Sequence, residues 1–190
     1  MEKTRLPEDA QRQRAVVFLD IDDVLCVHRT LNTRQVLAVL AGDETVDADT
    51  VWQQIFHASA RDNLRELHNE FLPWYVISSS WTLHLSREQL RETFDSTGLE
   101  FVAANLHEAW CTPRDDNSYR LTEIEAWLDT RALLTPVPFL ILDDMLSGQS
   151  IPGSHLECNA VLCDAWVGFT HPKLRAAQKI LREQLKKTDL

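Results

Sequence analysis

The chain has 190 residues, 44% of them hydrophobic and 25% charged, which is enough to close a core without disulfides or a structural metal. Its 29 acidic against 19 basic side chains give a formal net charge of −10. That excludes a protein that coats nucleic acid or an anionic membrane nonspecifically, but not one that takes a phosphate ester beside a bound cation.

Residues 1–14 are charged and lack the apolar centre of a secretory signal. No later apolar run approaches the roughly 20 residues that span a bilayer, so a cytoplasmic protein with no membrane partner is expected. The first strand is predicted over about 15–20, where Ala15-Val16-Val17-Phe18-Leu19 ends in Asp20-Ile21-Asp22-Asp23-Val24. Two carboxylates one residue apart at the end of an apolar strand sit at the mouth of a sheet, where a metal or phosphate can bind; Asp is equally at home in a solvated turn or a helix N-cap. Residues 26–56 follow as an insert of two short amphipathic helices parted by Gly42-Asp43-Glu44, placed above the carboxylates like a cap. Ala60, Leu64, Leu67 and Phe71 then form one helical stripe that ends before Pro73.

A second strand covers about 74–78, and the next helix, around 86–95, opens on Ser86 and Gln89 at capping-box spacing. Gly98 suits the end of that helix, and Leu99-Glu100-Phe101-Val102-Ala103 reads as the third strand. Leu121, Ile124 and Leu128 mark a helix over 120–129; Pro136 and Pro138 bound the start of a fourth strand, and Ala160-Val161-Leu162-Cys163 makes a fifth. Thr170-His171-Pro172 starts a last helix with Leu174, Ala177, Leu181 and Leu185 on one face. Apolar strands alternating with helices predict an α/β fold, a three-layer α/β/α doubly wound parallel sheet. Residues 1–190 read as a single domain with the insert as its elaboration. The four cysteines form no Cys-x-x-Cys pair and read as reduced and structural.

The ends of three strands carry the chemistry. Asp20 and Asp22 leave the first, Ser78-Ser79-Ser80 the second, and Asp143-Asp144 the fourth, all at the edge where doubly wound sheets bind ligands. An apolar strand ending in Asp-x-Asp, a strand ending in Ser, a cation heading a helix and a strand ending in Asp-Asp resemble the haloacid-dehalogenase-type phosphohydrolases. More narrowly, Phe18-Leu19-Asp20-Ile21-Asp22, Ile77-Ser78-Ser79-Ser80-Trp81, Thr112-Pro113-Arg114, Arg120 with Glu123-Ile124 and Trp127-Leu128, Ile141-Leu142-Asp143-Asp144 and Gly168-Phe169-Thr170 look like the branch associated with Swiss Army Knife RNA-repair proteins.

That resemblance implies roles for these residues. Asp20 would attack phosphorus to give an aspartyl-phosphate, and Asp22 would protonate the leaving oxygen and then activate water. Ser78 or Ser79 would donate to the phosphoryl group, Ser79 being favoured because it lies two residues before Trp81, while Ser80 serves as a cap. Arg120 would neutralise phosphoryl charge and position the nucleophile, with Arg114 a second candidate for the same charge. Asp20, the Asp22 carbonyl and Asp143, supported by Asp144, would hold Mg²⁺, a hard cation suited to oxygen ligands. Three departures stand out: Asp23 where the branch has Gly, Thr82 where it often has Arg (with Arg87 as a substitute), and no further acid after Asp144. The function implied is a Mg²⁺-dependent phosphomonoesterase for a phosphoester substrate, with an RNA or DNA end as one reading. A phosphatase of small metabolites or nucleotides is the alternative, and a catalytically silent phosphate- or partner-binding module is a third reading of another class.

Overall fold

The structure, a computed structural model, describes residues 14–114, 118–131 and 137–188; residues 1–13 and Pro136 lie outside them. Five strands, β1 (Val16–Leu19), β2 (Trp74–Ile77), β3 (Leu106–Cys111), β4 (Phe139–Asp144) and β5 (Ala160–Cys163), pair all in parallel in the order β3-β2-β1-β4-β5. Parallel strands need helical crossovers, and the chain supplies α1 (Thr33–Leu40), α2 (Ala48–Gln54), α3 (Ala58–Phe71), α4 (Arg87–Ser96), α5 (Glu100–Ala104), α6 (Arg120–Arg131) and α7 (His171–Thr188).

The alternation of each strand divides the core into two layers. Val17, Leu19, Tyr75, Ile77, Leu140 and Leu142 face the helices α3, α4 and α7, packing on Leu64, Phe94 and Leu181. Val16, Phe18, Val76 and Ile141 face α6 through Ile124 and Trp127. Both sheet faces are therefore covered, which is why the central strands read as continuous apolar runs. In the insert, Val36, Val51, Ile55 and Phe56 are buried in the larger layer, and Phe56 lies 5.7 Å from Trp81, centroid to centroid. The inner faces of α1 and α2 are thus part of the main core.

One expected strand is corrected. Leu99–Ala103 does not form a strand: Gly98, at φ +76°, closes α4, and the chain turns at once into α5. The side chains of Phe101, Val102 and Ala103 are consecutive and all buried, which an alternating strand with one covered face does not allow. Asn105 closes this helix by donating to the Phe101 carbonyl at 2.7 Å, and the third strand follows as Leu106–Cys111. That strand is at the sheet edge, with a register irregularity opposite Tyr75 and Ile77, and it lacks the apolar run of a central strand.

Candidate active site

β1 is central, and its chain neighbour β2 lies on one side while β4 lies on the other, so the strand order reverses between β1 and β4. Their carboxyl ends form the crevice where ligands bind in such sheets. Asp20 ends β1, with its N–H donating to Leu142 O at 2.9 Å, and Asp143 and Asp144 end β4. Oxygens of Asp20, Asp143 and Asp144 lie within 4.8 Å of one another, and all three residues are buried.

Arg120, at the start of α6, is the cation of this cluster. Its Nε donates to Asp143 Oδ2 at 2.5 Å, its Nη1 to Glu123 Oε2 at 2.9 Å, and its Nη2 lies 3.5 Å from Asp20 Oδ1. Burial works against the charged guanidinium, yet Asp143, Asp20 and Glu123 outweigh it and raise its pKa. Arg120, expected to neutralise phosphoryl charge and to position Asp20, has all three nitrogens facing carboxylates, and this holds Asp20, Asp143 and Glu123 together. Arg114 stands one layer further out, its Nε 3.4 Å from Glu123 Oε1, beside a polar cleft of about 150 Å³ that Arg120, Tyr119 and Gln149 also line.

The Asp20 carboxyl is pushed well up, first by burial and then by the Asp143 charge, with Arg120 and Ser79 acting in the opposite direction. Burial likewise pushes Asp143 up to about 6, against the pull of Arg120. Asp143 Oδ1 accepts from the Asp144 N–H at 2.9 Å, and Asp144 Oδ1 caps the following turn by accepting from the N–H groups of Leu146 and Ser147. Gly148 completes that turn, since a Cβ there would lie 2.8 Å from the Asp144 carbonyl.

Asp22 is held from the short 3₁₀ turn Ser80–Leu83 that follows β2. The indole Nε1 of buried Trp81 donates to Asp22 Oδ1 at 3.0 Å, and the Ser80 hydroxyl to Oδ2 at 3.4 Å. Burial raises its pKa while these two donors restrain it. Ser80, expected as a helix cap, therefore serves Asp22. Ser78 and Ser79 are each 1% exposed, and their hydroxyls make no hydrogen bond of good geometry; the same is true of Asp20 Oδ2. Buried polar atoms without partners are rare and point to a ligand that completes them. Arg87 turns elsewhere, donating to the His107 carbonyl.

Asp23 accepts the left-handed turn at φ +54°, as Asp does more readily than most residues. Its carboxylate then accepts from the Trp166 N–H at 2.7 Å, and the Phe169 N–H donates to Val24 O at 2.9 Å. Gly168 permits this close approach: at φ +79°, a Cβ would fall 2.9 Å from Val24 O and 2.8 Å from Val27 Cγ1. Trp81 and Glu123 were visible in the sequence only as motif letters, and the Asp23–Trp166 tie left no signal at all.

Buried carboxylates at the switch point of a parallel α/β sheet, held by an arginine, fit the haloacid-dehalogenase (HAD) class, whose domains suggest a phosphohydrolase acting on phosphoesters. The chain belongs to one family within that class, the HAD domain in Swiss Army Knife RNA repair proteins, which it matches over residues 16–174. Comparison with curated proteins and with solved structures gives no match. Among the described residues no helix is long and apolar enough to cross a membrane.

Proposed function

We propose that this chain is a Mg²⁺-dependent phosphomonoesterase that works through an aspartyl-phosphate on Asp20 and takes its phosphate from a nucleic-acid end. The observation that carries the reading is the buried Asp20 carboxylate, one oxygen facing Arg120 and the other, like the hydroxyls of Ser78 and Ser79, without a hydrogen bond of good geometry. An Asp20 oxygen attacks phosphorus while the bond to the leaving oxygen breaks, and Asp22 delivers its proton to that oxygen. Water then attacks the acyl-phosphate phosphorus with its proton passing to Asp22, the bond to Asp20 breaks, and inorganic phosphate leaves. Ser79 and Ser78 donate to the phosphoryl oxygens, and Arg120 holds Asp20 and Asp143 in place throughout.

The donor set fits magnesium. Burial raises the pKa of both Asp20 and Asp143, and for Asp20 the neighbouring Asp143 charge adds to it; a cation would relieve both, and the unpartnered Asp20 oxygen is a hard ligand. Asp20, Asp143 and the Asp22 carbonyl would hold the ion, with Asp144 supporting Asp143; when bound it would offset repulsion between the cluster and the phosphate. The net charge of −10 favours a second reading, a small nucleotide or metabolite phosphatase.

The test is phosphate release from 3′- and 5′-phosphorylated oligonucleotides, nucleotides and sugar phosphates, with Mg²⁺ or with chelator. Asp20→Asn is expected to fold and to abolish turnover, because the amide is isosteric but not nucleophilic. Near wild-type turnover by Asp20→Asn in a clean preparation would overturn the assignment, and a preference for sugar phosphates would promote the second reading.

A further inference from the structure

Most exposed large apolar side chains of the described residues gather at one end of the molecule. Leu83, Tyr119, Met145, Leu146, Trp166 and Val167 all lie on loops that follow the carboxyl ends of the strands, around the carboxylate cluster; only Leu72 lies elsewhere. Trp166 is the best constructed of them. It is 54% exposed although its backbone sits at φ +64°, a conformation that bulky residues rarely adopt. Its N–H is fixed by the Asp23 carboxylate, one residue from Asp22, and Arg29 lies over its ring at 4.8 Å. Asp20 and Asp23 are three residues apart, so this indole is tied to the same short loop that carries Asp20 and Asp22 out of β1. The fold thus holds a strained, flat, apolar surface open to solvent beside a phosphate site.

We propose that Trp166, backed by Arg29, is a stacking platform for the base of a nucleotide whose phosphate lies at Asp20. One ligand has to satisfy both features, a phosphate at the centre and a flat ring at the rim, and a phosphorylated nucleotide does so. Base–aromatic stacking tolerates any base, and a guanidinium on the opposite face of the indole adds a cation for the neighbouring backbone phosphate. This rests on the phosphatase reading above, and it supplies what that reading lacks, a physical reason for choosing a nucleotide-borne phosphate over a sugar phosphate.

The test uses the full chain carrying Asp20→Asn, so that binding is read without turnover, in Mg²⁺. Fluorescence anisotropy of a labelled single-stranded oligonucleotide with a terminal phosphate is compared between a normal terminal nucleotide and an abasic one. The base-bearing end is expected to bind about tenfold tighter. Adding Trp166→Ala is expected to bring that ratio close to one, and Trp166→Tyr to keep most of it. Competition by a nucleoside monophosphate as effective as that by the strand end identifies a free nucleotide as the source of the stacked base; weaker competition identifies the strand end. Equal binding of both ends, survival of the ratio in Trp166→Ala, or no measurable binding of either would overturn the platform. Failure of the phosphatase reading shows separately, as absence of Asp20-dependent phosphate release from any substrate.

Discussion

Arg120→Met removes the cation from the centre of the site while keeping much of its volume. The side chain is 4% exposed and faces three carboxylates, each 2% exposed or less, so the variant leaves Asp20, Asp143 and Glu123 buried together without their positive partner. Breaking a buried ion pair from one side costs about 3–5 kcal/mol, a large share of the roughly 5–15 kcal/mol that holds a domain folded. For a chain of this length that is a drop in Tm on the order of 10 °C. The loss has a sign with pH. Asp143 is held at about 6 even with Arg120 present, and without it the carboxyls rise further, so the folded variant keeps protons that the unfolded chain releases. Its stability therefore falls as pH rises, and the deficit against wild type is expected to be large at pH 8 and small at pH 5. Urea denaturation in chelator at both pH values reads this directly. Arg120→Lys, which keeps a charge but not the three-way geometry, is expected to recover part of the loss. A deficit under about 1 kcal/mol, or one equal at pH 5 and pH 8, would refute the role given to Arg120.

Three further outcomes follow from the same geometry. Asp22→Asn is expected to lose about 10²–10⁴-fold on alkyl phosphates and much less on activated aryl phosphates, since the missing step is proton donation; steady-state kinetics on such a pair checks it. Metal-free wild type is expected to lose roughly 3 kcal/mol as pH rises from about 4 through 6, because burial lifts Asp143 to about 6 and only the folded state holds its proton in that window. Mg²⁺ then raises Tm at pH 7.5 and progressively less toward pH 5, as melts with and without chelator measure. Gly168→Ala is expected to cost about 2–4 kcal/mol by combining a left-handed side chain with contact against Val24 O, and to lower turnover by shifting the Asp22–Val24 loop.

The central strands were legible because they are buried on both faces, and a run such as Val16–Leu19 has little else to become. The helix caps were legible too: Ser86 and Gln89 form the capping box that their spacing implies, and α1 and α2 part at Gly42. The edge strand was not. Leu106–Cys111 has one fully buried residue, and the more apolar Phe101–Ala103 beside it takes a helix whose burial comes from α3 and α4, a tertiary effect that local pattern does not carry. The acids of the site stood out because carboxylates at strand ends are conspicuous, whereas what each one touches depends on elements far apart in the chain. Trp81 meets Asp22 across 59 positions, Arg120 meets Asp143 across 23, and Trp166 meets Asp23 across 143.

The position of β1 in the sheet also sets an order of assembly. It pairs with β2, whose first residue lies 58 positions later in the register, and with β4, where Val16 faces Phe139. During synthesis the most apolar strand of the chain is therefore made first, and it waits with one edge open until β4 emerges. Asp20 has neither Arg120 nor Asp143 beside it during that interval. A nascent chain stalled anywhere between β2 and β4 exposes an unpaired apolar edge and has no assembled carboxylate site. Non-local pairing of this kind forms slowly, so the carboxylate site is among the last parts of the sheet to be assembled.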